Sequence, residues 1–151
     1  MWVHSMITLS SVLVSVLICF VIGVPLGVIA SYNKWYRDIQ NVVLDAMQTL
    51  PYFCYLIPVL MFFGGNIVSA VIATVIYSVP PIIRLTALGL SQVSGSYSEV
   101  SKSFGGTGIQ TLNKVKFPLA VPSLVMGFNQ TVIMAFAMQI VTPLILSLIH
   151  I

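Results

Sequence analysis

The sequence predicts an all-α integral membrane protein, a polytopic helical bundle with about four membrane spans in one domain covering residues 1–151. Of the 151 residues, 58% are hydrophobic and only 6% are charged. A soluble domain carries roughly a quarter charged residues, so this chain could not cover a surface that faces water. The apolar runs are continuous, whereas the strands of a membrane β-barrel alternate between apolar and polar residues.

Long gaps between the charged residues place the spans, each of which needs about 20 mostly apolar residues. No Asp, Glu, Lys or Arg precedes Lys34, none lies between Asp45 and Arg84, and none follows Lys116. We therefore predict four spans with three connections, a polar loop, a turn and a longer polar loop. The spans are Met6–Ala30, Ile39–Phe63, Ile67–Leu90 and a last one from near Pro118, and the connections are Ser31–Asp38, Gly64–Asn66 and Ser91–Phe117.

The basic residues predict which side of the membrane each connection occupies. The first polar loop carries two Lys or Arg residues and the longer polar loop carries three, whereas the N-terminal tail and the Gly64–Asn66 turn carry none. The positive-inside rule then places both polar loops in the cytoplasm and the N-terminus outside. The net charge of +3 is small, and its placement does not form a nucleic-acid-binding patch.

No cluster of residues suggests catalysis or metal binding on this chain. Cys19 and Cys54 lie in different apolar spans, where we expect both to be buried, and His4 and His150 lie at opposite ends. The glycine-rich stretch Gly105–Gly108 is not followed by Gly-Lys-Ser/Thr, so it is not a phosphate-binding loop. An integral membrane enzyme is therefore disfavoured, and we expect no cofactor on this chain.

The longer polar loop contains the most informative local signals. Ser96 and Glu99 fit a capping box, which predicts a short helix over Tyr97–Phe104 that the two following glycines end. A second short helix is predicted over Ile109–Lys116, and Pro118 suits the first turn of the last span. An ordinary solvated loop is the alternative interpretation of these local signals.

Residue spacing across this loop resembles the EAA signature of the membrane subunits of bacterial ABC importers. That signature is Glu-Ala-Ala, three residues, Gly, nine residues, Ile, one residue, Leu-Pro. Glu99, Gly105 and Pro118 match it at the same spacing. The sequence departs from the signature at the two alanines and at the two aliphatic positions, which are here Val100, Ser101, Val115 and Phe117.

Three further segments look like the glycine betaine/proline betaine (osmoprotectant) permease subfamily, namely Asp45–Pro51, Pro80–Thr86 and Asn129–Thr131. The resemblance covers about Val12 to Met138. It implies the fold of a type I ABC importer permease in the bacterial inner membrane, which dimerises and receives solute from an extracytoplasmic binding protein. It also implies a cytoplasmic ATPase subunit that binds ATP and Mg²⁺. The EAA segment would be the coupling helix that docks on this ATPase.

Polar residues within the spans are candidates for the translocation path, because such residues usually face the bundle interior or a water-filled path. They are Asp45, Gln48, Asn129 and Gln130. Hydrogen bonding between helices is the alternative role for Asn129 and Gln130, and a structural inner-leaflet carboxylate is the alternative for Asp45. Arg84 is expected to be a snorkelling anchor, with a gate or an ATPase contact as alternatives.

Aromatic and helix-breaking residues in the spans carry weaker signals. Tyr52, Phe53 and Tyr55 suggest aromatic packing, with a cation–π site for a quaternary ammonium group as the alternative. Pro80-Pro81 should kink the third span, with the hydroxyls of Thr74 and Ser78 satisfying the freed backbone groups. Gly23 and Gly27 form a GxxxG pair, which suggests that two helices approach closely.

The C-terminus departs from the subfamily, whose members continue into a further span. The last six residues, 146–151, are what the transposon-end tag used in sequencing libraries encodes in frame. We therefore expect that they are a cloning or sequencing scar and that the natural protein is longer. The alternative to a transport subunit is a non-transporting fragment or structural membrane protein that keeps the permease fold.

Overall fold

A computed structural model describes the backbone of residues 2–149, together with the side chains in that range except those of 3, 4 and 143–149. No strand occurs within this range, which confirms the all-α class. The helices are α1 (Trp2–Tyr32), α2 (Lys34–Thr49), α3 (Phe53–Phe63), α4 (Ile67–Gln92), α5 (Gly95–Ser103), α6 (Gly108–Thr111), a π-helical turn (Leu112–Lys116) and α7 (Phe117–Ile149). The suggested scar, residues 146–151, lies in the part of the chain whose side chains are not described.

Among the described residues, three stretches are long and apolar enough to cross a membrane, namely Ser5–Tyr32, Ile67–Gln92 and Gly108–Thr142. The predicted second span, Ile39–Phe63, is not one continuous helix, because α2 and α3 meet at an angle of 87°. Pro51 explains the break, since a proline disfavours helical geometry at the preceding residue and Leu50 has extended backbone angles. If α2 and α3 together cross the membrane, the count is four spans, in agreement with the prediction.

The predicted polar loop over Ser31–Asp38 is also wrong, because α1 and α2 are separated by the single residue Asn33. The Asn33 side chain accepts hydrogen bonds from the backbone N–H groups of Trp35 and Tyr36, at 3.1 and 3.4 Å. It therefore caps α2 at its first turn, so the polar residues that suggested a loop begin a helix instead.

Helix α4 lies at the centre of the bundle and packs against both α1 and α7. The contact with α1 is close at Gly27, where an added Cβ would lie 2.6 Å from the Thr86 Cβ and 2.8 Å from the Ile83 carbonyl oxygen. Gly23 leaves similarly little space beside Ile82. The predicted close approach at the GxxxG pair is thus confirmed, and α4 is the helix that approaches.

Hydroxyl and amide groups join the spans inside the bundle. The Gln139 side chain donates to the Thr74 hydroxyl at 3.1 Å, which links α7 to α4. Thr74 and Ser78 donate to the carbonyls of Ala70 and Thr74, whereas the carbonyls that the two prolines leave free are those of Ile76 and Tyr77. The prediction that these hydroxyls compensate the prolines is therefore wrong, although α4 remains one helix across them.

Candidate functional site

Helix α5 begins after a two-residue connection from α4, and the structure corrects its predicted cap. The Ser94 side chain accepts from the Ser96 backbone N–H at 3.4 Å, whereas Ser96 itself lies inside the helix. Within the described residues the Glu99 carboxylate forms no hydrogen bond or ion pair. The capping box forms instead at the start of α6, between Thr107 and Gln110. Both Ser96–Glu99 and Thr107–Gln110 fit the sequence pattern of a capping box, so the sequence could not show which of them forms it.

Gly105 turns the chain sharply between α5 and α6. Its φ is +76°, in the left-handed region that favours glycine. The backbone N–H groups of Gly105 and Gly106 donate to the carbonyls of Lys102 and Ser101, at 2.8 and 2.9 Å. The sequence analysis assigned both glycines to the end of this helix. The structure adds that Gly106 packs closely against α5, where an added Cβ would lie 2.7 Å from the Ser101 carbonyl oxygen.

A hydrogen bond across this turn holds α5 against α6. The hydroxyl oxygens of Ser101 and Thr111 lie 2.7 Å apart, and the Thr111 hydroxyl is also 3.0 Å from the Thr107 carbonyl oxygen. Thr111 is buried. The sequence analysis included Ser101 in the predicted ATPase-coupling segment, as a departure from the EAA pattern, but did not consider Thr111, because nothing local predicts that the two hydroxyls meet.

The predicted second short helix over Ile109–Lys116 is not a separate element. Helix α6 continues through the π-helical turn directly into α7. The Phe117 N–H donates to the Leu112 carbonyl, and Pro118, which has no N–H, follows within the first turn of α7. Helix α5 is thus hydrogen-bonded to a segment that continues without a break into a membrane span.

Apolar side chains of α5 and of the residue that caps its C-terminus, Phe104, form an exposed surface. Tyr97, Val100 and Phe104 are exposed, and Phe104 is 88% exposed. Their spacing of three and four residues places them on one face of the helix. They border an open cavity of about 450 Å³ whose other walls include Ser101, Gly106, Gln110, Lys114 and Val115. Exposed apolar groups of this kind commonly mark a surface that binds another protein.

A second cavity, also of about 450 Å³, lies beside α2 and α4. The Arg84 guanidinium donates from Nη2 to Asp45 Oδ1 at 2.5 Å, so Arg84 is paired rather than a lone snorkelling anchor. The pair is partly open, with the side chains of Arg84 and Asp45 36% and 63% exposed. The cavity is lined by Arg37, Asn41, Asp45, Arg84, Ala87, Leu88 and Ser91.

The other candidate path residues are distributed over two helices. Gln48 is exposed on α2, and Asn129 and Gln130 are exposed on α7. In the part of the chain that the structure describes, the side chains of Asn129 and Gln130 form no hydrogen bond, so they do not join helices of this chain. Gln139, which the sequence analysis did not select, makes that kind of bond.

The two cysteines lie in different environments, and the aromatic side chains pack together. Cys19 is buried with its Sγ 3.6 Å from the Ser78 hydroxyl, whereas Cys54 is exposed, contrary to expectation. The rings of Tyr52 and Tyr55 lie 6.4 and 6.3 Å from the Tyr77 ring. This arrangement agrees with the packing interpretation. Across the described residues no three His, Cys, Asp or Glu side chains could hold a metal ion together.

The long apolar helices and the short, exposed helix joined to the start of α7 define a polytopic helical membrane protein. The chain belongs to the family of binding-protein-dependent transport system inner membrane components, which matches residues 23–148. The family recognised from the EAA spacing is therefore confirmed, and with it a multi-pass inner-membrane transport component.

Individual relatives agree with this family. The chain is 44% identical over 144 residues to the glycine betaine/proline betaine transport system permease protein ProW of Escherichia coli (strain K12). It is 41% identical over 144 residues to the glycine betaine transport system permease protein OpuAB of Bacillus subtilis (strain 168). Each match covers 95% of this chain but only 41% and 51% of the relative, so the chain spans about half the length of these relatives or less.

A third relative has trimethylamine N-oxide rather than a betaine in its name. The chain is 40% identical over 144 residues to the trimethylamine N-oxide transport system permease protein TmoV of Ruegeria pomeroyi (strain ATCC 700808 / DSM 15171 / DSS-3). This match covers 95% of the chain and 22% of the relative.

Proposed function

We propose that this chain is the membrane-spanning permease subunit of an ATP-driven importer for glycine betaine/proline betaine-like quaternary amine solutes. The relatives with 41–44% identity, ProW and OpuAB, carry names of this kind, which supports transport over a non-transporting structural role. A separate cytoplasmic ATPase would bind ATP and Mg²⁺, and an extracytoplasmic binding protein would deliver the solute. A second permease copy would complete the path.

Helix α5 is the proposed docking point for the ATPase, and its exposed apolar face carries this proposal. Val100 and Phe104 would insert into a cleft on the partner, while the Ser101–Thr111 bond would pass its motion to the segment that continues into α7. Gly105 would set the angle between the two segments. Glu99, Val115, Phe117 and Pro118 complete this proposed coupling region.

The proposed orientation has α5 in the cytoplasm and the N-terminus outside. The basic residues of α2, α5 and the π-helical turn all lie in or between elements at one end of α1, α4 and α7, which fits the positive-inside rule. At the same end, the Lys116 ammonium lies 5.6 Å from the centre of the Tyr32 ring. We further propose that Asp45, Gln48, Asn129 and Gln130 face the translocation path, since all four are exposed in this chain.

Reconstitution tests the proposed function directly. The full-length permease, its ATPase and its binding protein would be placed in proteoliposomes, and uptake of radiolabelled glycine betaine would be measured. We expect uptake that requires both ATP and the binding protein. A liposome lacking only the ATPase is the control. Uptake that is absent from the complete system, or unchanged without the ATPase, would contradict the proposal.

A further inference from the structure

The ion pair between Arg84 and Asp45 joins α4 to α2, which contacts α4 much less than α1 and α7 do. Asp45 lies on α2, whose only buried side chain is that of Leu44. Among the described residues, no other side-chain hydrogen bond connects α2 with α1 or α4. Separating the ion pair would therefore release α2 from α4 at the cost of few other contacts.

The cavity beside the ion pair has unused capacity for a ligand. Its volume is about 450 Å³, and the polar residues Arg37, Asn41 and Ser91 line it. The Nε of Arg84 is buried, and within the described residues it donates to no acceptor. Arg37 adds a second cation, so the residues that line the cavity include two arginines and one aspartate.

This charge arrangement favours a solute that carries both charges. An ion that displaced only one member of the pair would leave the other without its counter-ion, which is costly in a membrane. A zwitterion can replace both contacts at once. The planar Arg84 guanidinium suits a carboxylate, and the Asp45 carboxylate can neutralise a quaternary ammonium group that has no hydrogen to donate.

We propose that Arg84 and Asp45 form a transit site for a zwitterionic quaternary amine, with the solute carboxylate on Arg84 and its ammonium group beside Asp45. This site deepens the proposed function and rests on it. A weak site is sufficient, because conduction requires that a solute enter favourably and still leave. Entry of the solute separates the two side chains, and the ion pair forms again after the solute leaves.

Binding to the full transporter complex in nanodiscs, without binding protein, tests the site. Saturation-transfer NMR on the trimethylammonium protons would give dissociation constants for glycine betaine and for choline, which has the cation but no carboxylate. We expect Arg84→Gln to weaken glycine betaine binding by roughly tenfold, the effect of one moderately strong charge contact, without weakening choline. Asp45→Asn should weaken both solutes.

Two further variants keep the test decisive. Arg84→Lys retains the charge without the planar fork and should weaken glycine betaine less than Arg84→Gln does, which gives a usable result if the Gln variant does not fold. Lys34→Gln removes the same charge from an exposed position that does not line the cavity, and it should change neither constant.

The outcomes separate this site from the proposed function. The transit site is wrong if the wild-type complex imports glycine betaine but shows no binding, or if the Arg84 variants weaken the binding of both solutes equally. Either result would leave the proposed transport function unaffected. If the reconstituted wild-type complex does not import glycine betaine at all, the proposed function fails first, as the uptake assay alone would reveal.

Discussion

Ser101 and Thr111 share a hydrogen bond of 2.7 Å across the turn at Gly105. Ser101 belongs to the exposed helix α5, and Thr111 belongs to the helical segment that continues into the membrane span α7. This bond is a direct polar connection between the proposed ATPase-docking surface and the bundle, and it gives the first prediction.

Thr111→Val should reduce coupling while preserving the fold. Valine keeps the shape of the buried side chain but removes its hydroxyl, at a cost of about 1 kcal/mol. We expect fewer solutes imported per ATP hydrolysed, measured as the ratio of uptake to phosphate release in proteoliposomes. Ser103→Ala is the matched control, because its hydroxyl bonds only to the Glu99 carbonyl within α5. Equal ratios in the two variants would refute the role of the Ser101–Thr111 bond.

Gly105→Val should abolish most solute-stimulated ATP hydrolysis and uptake together. The space around Gly105 is open, so the strain comes from its φ of +76°, which costs an ordinary L-residue about 1–2 kcal/mol and a β-branched one more. Gly105→Asn should retain more activity, since asparagine tolerates this conformation. Gly108→Ala, at a glycine without positive φ and with open space, is the control and should be nearly neutral. Normal uptake by Gly105→Val would remove the coupling role from this turn.

Gly27→Ala should destabilise the bundle. The new Cβ would lie 2.8 Å from the Ile83 carbonyl oxygen, and backbone cannot move aside as a flexible side chain can. Overpacking of this kind costs about 1–3 kcal/mol, which should appear as a lower midpoint of thermal unfolding for the full-length permease in detergent. Gly95→Ala, where an added Cβ meets nothing within 4 Å, is the control. Matching midpoints for both variants would mean that α1 and α4 are not this close.

Gln139→Met should also lower the unfolding midpoint, by less than Gly27→Ala. It removes the hydrogen bond to Thr74, and such bonds between membrane helices contribute about 0.6 kcal/mol on average. Gln130→Met makes the same chemical change at an exposed position and should leave the midpoint unchanged. A larger loss at Gln130 than at Gln139 would indicate that the wrong glutamine has been assigned to the helix contact.

Cysteine labelling should place α5 in the cytoplasm. Cys19 and Cys54 would first be replaced by alanine, after which a single cysteine at the exposed position Ser103 should resist an impermeant reagent in intact cells. A single cysteine at Gly65, in the turn at the other end of α4, should react. The reverse pattern would overturn the proposed orientation.

The sequence by itself determined the membrane class, the positions of the long apolar helices and the family. Charged residues cannot be left in lipid without large cost, so the gaps between them predict the spans. The EAA spacing predicted the family because it combines the local requirements of a helix, a glycine turn and a helix start. These signals depend on residues close together in the chain, and Gly105 with its positive φ is the clearest example.

Only the tertiary structure decided which distant groups meet and which of several similar local patterns forms. Arg84 and Asp45 are separated by 39 positions and Gln139 and Thr74 by 65, and nothing in either neighbourhood specifies its partner. Two stretches fit a capping box, but the box forms at Thr107 because α6 begins there, whereas Ser96 lies inside α5. A contact between helices depends on how whole faces pack, and one local pattern in the sequence is compatible with many such packings.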